Sequence, residues 1–127
     1  MHPAFSSSDW LIEETRFDLA EANFKETIFT VGNGYQGTRG SLEEGHKGEL
    51  SGTYLAGVYD HHDSTVTDQV NAPTWLPLKV WVEGELLDVQ TCKIVEHKRV
   101  LDMQTGFLHR DTLFEDSKGR RTRITSV

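Results

Sequence analysis

The sequence predicts an all-β domain of antiparallel strands, with one short helix near residues 18–27. Three observations carry this. Apolar residues at helical spacing are scarce. Most of the chain reads instead as short apolar or alternating runs broken by turn residues. The βαβ spacing that a parallel sheet requires is absent.

Taken in order, the Ser6-Ser7-Ser8 run reads as a flexible lead-in. Asp18–Thr27 is the one helix candidate, with Asp18 placed to cap it and Glu21 to complete a capping box. Ile28–Val31 reads as a compact apolar strand, and Gly52–Asp60 as a second, rich in aromatic and β-branched residues. Leu76–Val82 alternates, with Leu76, Leu78, Val80 and Val82 on one face and Lys79 and Trp81 on the other. Glu83-Gly84-Glu85 then turns the chain into Leu86–Val89 as a tight hairpin. Lys93–Leu101 and Phe107–Glu115 are strands separated by Asp102–Gly106. Asp116-Ser117-Lys118-Gly119 is a turn in which Gly119 supplies a positive φ. A last strand runs from Arg120 to Val127 with no stop signal, so the sheet is expected to continue in a longer polypeptide.

The 127 residues suffice for one domain with a core, burying roughly two-thirds of the unfolded surface. No apolar run approaches the ~20 residues that span a bilayer, and the N-terminus has neither the basic start nor the apolar core of a signal peptide. A single cysteine, Cys92, excludes an internal disulfide, reads as a buried small hydrophobe, and suits a cytoplasmic location. The net charge of −7 argues against nucleic acid as a partner. Residues 1–92 carry 5 basic and 15 acidic side chains, against 8 and 5 over 93–127. The basic end, with Arg110, Lys118, Arg120, Arg121 and Arg123, reads either as a phosphate patch or as ion pairs with Asp111, Glu115 and Asp116. Ion pairing across strands is the simpler reading.

Gly32–Gly37, G-N-G-Y-Q-G, matches the dinucleotide-binding pattern G-x-G-x-x-G directly after an apolar run. That pattern needs a helix to open at its last glycine and hold a pyrophosphate on its N-terminus. Here Gly40, Gly45 and Gly48 follow within a dozen residues, which a helix starting there does not tolerate. No Lys-Ser or Lys-Thr follows either, so the phosphate-loop pattern fails as well. No nucleotide cofactor is expected. The glycines are expected to turn and pack: Asn33-Gly34 is a strong turn dipeptide, and Gly37 and Gly40 permit close backbone approach. Arg39, between two glycines, is placed to fork onto a carboxylate or onto carbonyls.

Five blocks carry a wider resemblance. They are E-T-I-F-T-V-G-N-G-Y-Q-G-T-R-G-S-L-E-E-G, G-T-Y-L-A-G-V-Y-D, V-N-A-P-T-W-L-P-L, L-D-M-Q-T-G-F-L-H-R-D and G-R-R-T-R-I. In this order, from about Trp10 to Val127, they closely resemble the N-terminal domain of glycoside hydrolase family 65. That family holds maltose, trehalose and kojibiose phosphorylases and some hydrolases. The resemblance implies an antiparallel β-sandwich, here the first part of a large N-terminal super-sandwich, followed in such enzymes by an (α/α)6 catalytic barrel. It implies inverting attack on an α-glucosidic bond, with inorganic phosphate as co-substrate in the phosphorylases and water in the hydrolases. The catalytic acid would lie in the barrel, beyond Val127, so no catalytic residue is expected in residues 1–127. The implied partners are the rest of the polypeptide, an α-linked glucose disaccharide and a second copy as homodimer.

Within the chain, Glu43-Glu44 and Glu83/Glu85 look like carboxylate pairs for acid–base work, but both fall in turn-like contexts that favour solvent. His61-His62-Asp63 lacks a third ligand at metal spacing, so no metal is expected. Trp75, between Pro73 and Pro77, reads as a packed side chain or as a platform against a sugar or the barrel. Tyr59, Asp60 and Asn71 lie near the same loops, and with Trp75 are expected at the barrel or its active-site rim. Asn33, Gly34, Tyr35, Gly37, Arg39 and Gly40 are expected to hold a turn and brace that interface. The alternative is a free-standing carbohydrate-binding β-sandwich, with the three tryptophans and three tyrosines as sugar platforms.

Overall fold

The structure, a computed structural model, describes residues 7–61 and 65–127. It is built almost wholly of antiparallel strands with one short helix, as the sequence predicts. A five-stranded sheet runs in the order β1 (Ser7–Ser8), β2 (Leu11–Glu14), β9 (Lys93–Asp102), β10 (Phe107–Glu115), β11 (Arg121–Ser126). A four-stranded sheet follows the order β3 (Val31–Gly32), β4 (Gln36–Thr38), β5 (Thr53–Asp60), β6 (Asp68–Asn71). β7 (Trp81–Val82) and β8 (Glu85–Leu86) form a separate ribbon. No helix of the described residues is long and apolar enough to cross a membrane.

Asp18 takes an extended conformation and its carboxylate accepts from the Ala20 amide at 3.0 Å, starting a 3-10 turn over Leu19–Glu21. The turn runs into α1 (Ala22–Ile28). Ile28 therefore ends a helix and does not begin a strand. The apolar run divides at Phe29, whose amide closes the helix onto Lys25 O and whose ring is fully buried. Ser7 and Ser8 also depart from expectation, pairing with Ile12 and Leu11 as a short strand.

The alternation over Leu76–Val82 yields a strand only at Trp81–Val82, because the backbone of 76–80 follows the surface loop and Leu78 N bonds to Glu43 O. The hairpin that follows has a two-residue turn, Glu83-Gly84, with φ of 48° and 81°. Both central residues left-handed is the type I′ arrangement that matches strand twist. Gly119 closes the Asp116–Gly119 turn at φ 78°.

The core gathers Leu42, Leu87, Val89, Cys92 and Phe114, with Phe17, Val80, Val82, Ile94 and Ile124 packed against it. Cys92 is buried there as a small hydrophobe. On the inward face of β9 and β10 the alternating buried positions are His97, Arg99 and Leu101, then Arg110, Thr112 and Phe114. Four of these six inward positions are thus charged or polar, and those groups must be satisfied inside the fold.

Candidate functional site

The register of the large sheet places Glu14, Arg99, Arg110 and Ser126 in one row across four strands. Glu14 Oε2 accepts from Arg99 Nε at 2.6 Å, and Lys25 Nζ of α1 lies 3.0 Å from Glu14 Oε1. Arg99 Nη1 donates to Gly40 O at 2.8 Å, while its guanidinium carbon sits 4.6 Å from the centre of the Phe29 ring. Arg110 binds Glu44 in a fork, Nη1 to Oε2 and Nη2 to Oε1, both at 2.6 Å. Its Nη1 also reaches Glu43 Oε2 at 2.5 Å, and Ser126 Oγ donates to Glu43 Oε1.

Glu43 and Glu44 were expected to face solvent. Glu44 is only 4% exposed, because an arginine 66 residues away neutralises it. The basic C-terminal end resolves into ion pairs, as expected. Arg121 pairs with Glu115, Arg123 with Asp111 and Glu96, and Arg120 with Asp116 and Glu83.

His97 bridges the row to its neighbour. Its Nδ1 lies 2.9 Å from Thr112 Oγ1, and its Nε2 lies 3.4 Å from Glu14 Oε2. Arg110 Nε donates to the same Thr112 hydroxyl at 3.0 Å. Burial pushes the His97 pKa down and outweighs the Glu14 carboxylate beside it. Burial pushes Glu14 up, but the neighbouring His97 Nε2, the Arg99 charge and Lys25 together hold it at about 2. Glu43 is likewise held below the usual carboxylate range, since burial is outweighed by Ser126 and Arg110.

Beside this row lies a cleft of about 170 Å³ with apolar walls that include Val31, Leu42, Leu76 and Leu108, and with Arg99, Arg110 and Ser41 along its polar side. Trp75 and Phe107, 64% and 56% exposed, stand among the residues lining it. Trp75 Nε1 donates to Thr38 Oγ1 at 3.0 Å, which fixes the indole. Arg39 and Gly40 line the same cleft, so three of the residues expected at the interface, these two and Trp75, meet here. Arg39 forks inward, donating from Nη2 to Asn23 O of α1 with Nε 3.7 Å from Glu26 Oε2. Gly40 is required by packing, since a Cβ there would stand 2.6 Å from Phe29 Cβ. Gly37 is different. A Cβ there would meet nothing within 4 Å, so the close approach expected at this residue is not what holds it.

The other nominated residues separate. Asn33 holds the β3–β4 turn, its Oδ1 accepting from the Tyr35 and Gln36 amides, with Gly34 at φ 87°. Tyr35 is 81% exposed on that turn and lines a shallow hollow with Gly34, Gly37, Tyr54 and Gln69. Asn71 pins β6 to the start of β5, accepting from Thr53 N at 2.9 Å and donating to Ser51 O at 3.0 Å. Tyr59 and Asp60 lie at the far end of β5, away from the cleft lining. Of the His61-His62-Asp63 run, His62 and Asp63 lie outside the described residues. His61 is exposed, and no group of three metal-ligating side chains occurs among the described residues.

Chemically, the buried carboxylates here are anions clamped by cations. A general acid for glycosidic cleavage needs the reverse, a pKa raised towards neutrality. Sequence reasoning missed Glu14, Lys25, His97 and Arg99. The only available signal was polar Glu14, His97 and Arg99 at strand positions where alternation calls for apolar residues; Lys25, on α1, gave none.

Comparisons with known proteins agree over most of the chain. A family model described as "Glycosyl hydrolase family 65, N-terminal domain" matches residues 12–127. The chain is 46% identical over 119 residues to kojibiose phosphorylase of Thermoanaerobacter brockii, covering 94% of this chain and 15% of that protein. It is 35% identical to α,α-trehalose phosphorylase of the same organism, over 93% of this chain and 17% of that one. A solved structure, "Putative kojibiose phosphorylase from human microbiome", superposes with a TM-score of 0.84 at 25% identity, over 96% of this chain and 18% of its own. The chain thus spans about one-sixth of the length of the relatives it matches. On these grounds it belongs to glycosyl hydrolase family 65, as an N-terminal domain of that family.

Proposed function

We propose that this chain is the non-catalytic N-terminal domain of an inverting disaccharide phosphorylase, supporting and packing against an (α/α)6 catalytic barrel that lies outside residues 1–127. The carrying observation is the 46% identity to a kojibiose phosphorylase over 94% of the chain. The site chemistry supports it, because the buried Glu14 and the half-buried Glu43 are held ionised and serve structure. In this reading the barrel supplies the glutamic acid that protonates the leaving oxygen. Inorganic phosphate attacks from the opposite face, and an α-linked glucose disaccharide yields β-glucose 1-phosphate. The enzyme works in the cytoplasm as a homodimer.

The test is an assay of the full-length polypeptide on kojibiose, trehalose and maltose, with and without phosphate. β-Glucose 1-phosphate should appear only with phosphate, and residues 1–127 alone should give no turnover. Phosphate-independent release of glucose would move the enzyme to the hydrolase branch.

A second reading, a free-standing carbohydrate-binding module, draws on the exposed Trp75 and Phe107 beside the cleft. Titration calorimetry of the 127-residue chain against the same three sugars separates the two. A supporting domain gives no heat.

A further inference from the structure

β5 is exposed on both of its faces. From Tyr54 to Asp60 every residue is open to solvent, and Tyr54, Leu55, Val58 and Tyr59 are 40%, 37%, 41% and 59% exposed. Strands of an antiparallel sheet ordinarily cover one face, and a contiguous apolar surface rimmed by polar groups marks an interaction site. The pairing with β6 is irregular as well. Tyr54 opposes Asn71 and Tyr59 opposes Gln69, so the stretch of β5 around Gly57, at φ 81°, leaves the ladder.

At the end of this ribbon Asp60 and Asp68 stand directly opposite one another, and both are exposed. Like charges at such a position repel and weaken the pairing they sit on. Among the described residues, Asp60 accepts only from the neighbouring His61 amide and neither carboxylate has an ion-pair partner. The ribbon therefore offers apolar side chains along its length and, among the described residues, two carboxylates without an ion-pair partner at its tip.

We infer that this ribbon docks onto an arginine- or lysine-bearing surface of the remaining polypeptide, burying Tyr54, Leu55, Val58 and Tyr59 and setting Asp60 and Asp68 against a cation. The inference rests on the reading of this chain as one domain of a longer enzyme, and the chain spans only 15% of its kojibiose phosphorylase relative. Charge complementarity and the two-sided apolar surface fit a protein body of opposite charge better than a sugar, which would engage one face only.

Hydroxyl-radical footprinting, read by mass spectrometry, tests this on the full-length polypeptide and on the 127-residue chain. Tyr54 and Tyr59 should be oxidised about fivefold more slowly in the full-length protein, while the buried Phe29 and Phe114 stay protected in both. In a full-length D60K/D68K variant, Tyr59 oxidation should rise at least about threefold towards the short-chain rate, with Phe114 unchanged. Equal rates in both wild-type chains would overturn the docking. An unchanged rate in the variant would overturn the basic partner. Protection that grows with concentration in the short chain would assign the ribbon to a second copy instead, and the inference would fall. A full-length protein that shows phosphorolysis without ribbon protection sinks this inference alone. Protection without phosphorolysis sinks only the proposed activity.

Discussion

Arg99 and Arg110 stand directly opposite one another on β9 and β10, both buried, at a position where like charges repel. Each is neutralised from outside the pair. Glu14 of β2 takes Arg99, and Glu44 of the segment after β4 takes Arg110. The repulsion between the arginines is thereby converted into a demand for two distant carboxylates, which fixes the approach of both segments to the sheet.

Removing one member of such a set leaves a buried charge uncompensated, which typically costs about 3–5 kcal/mol. E44A should therefore lower stability by about that much, because Arg110 then faces Arg99 with Glu43 as its only anion. The double variant E44L/R110M should recover most of the loss, since no charge remains to desolvate. Urea denaturation of the three chains decides it. A loss below about 1 kcal/mol for E44A would mean that water reaches the pair.

Gly40 and Gly37 should respond oppositely to a methyl group. G40A drives Cβ to 2.6 Å from both Cβ and O of Phe29, so it should cost about 1–3 kcal/mol through shifted backbone. G37A meets nothing within 4 Å and should stay within about 0.5 kcal/mol of the parent. Thermal melts of the two variants provide the comparison. Equal effects would contradict the packing described for α1.

Acid should destabilise the chain in two steps of the same sign. The folded Glu14 is held at about 2 against an ordinary 4.5, so its contribution is complete above that ordinary value and lost as pH falls towards 2. The total is on the order of 3 kcal/mol. His97 lies below its ordinary 6.5 when folded, so the unfolded chain takes up the proton first and stability begins to fall as pH drops below that value. Urea midpoints at about pH 7.5, 5.5 and 3.5 should decline in that order, and E14Q should flatten the lower limb. A midpoint that rises between the first two conditions would contradict the neutral, buried His97.

Glu83 occupies the first left-handed position of a type I′ turn, at φ 48°. Asn is far better suited to that conformation, so E83N should stabilise the hairpin by about 0.5–1 kcal/mol. The ion pair to Arg120 that it loses is mostly solvent-exposed on the glutamate side and contributes little. A melting temperature that falls in E83N would assign the greater role to that pair.

What could be read from the sequence was local. Phe107–Glu115 is a strand at the boundaries read from the sequence, because the turn residues of Asp102–Gly106 and Asp116–Gly119 flank it. The Asp18 cap announced the helix, since the carboxylate acts on an amide two residues away. Ile28 was misplaced because I-F-T-V holds no glycine, proline or other strong turn residue, and only the burial of Phe29 between α1 and Arg99 divides the run. Glu43 and Glu44 looked solvated because their partner comes 66 residues later, and Glu14 meets Arg99 across 85. A buried ion pair has no local signature. The glycine-rich stretch was legible as a turn at Asn33-Gly34, but the reason for Gly40 is visible only when α1 is laid against it.

The position of Arg99 also sets the order of events at the ribosome. Glu14 and Lys25 leave the exit tunnel long before Arg99 exists, and closing an 85-residue loop is opposed by chain entropy. Until β9 has emerged, Phe29 lacks its guanidinium cover and Gly40 O lacks its donor. The first ninety or so residues therefore travel as a nascent chain without a finished interior, with aromatic side chains available to chaperones. Arg99 is the residue whose arrival lets helix, glycine loop and sheet become one body.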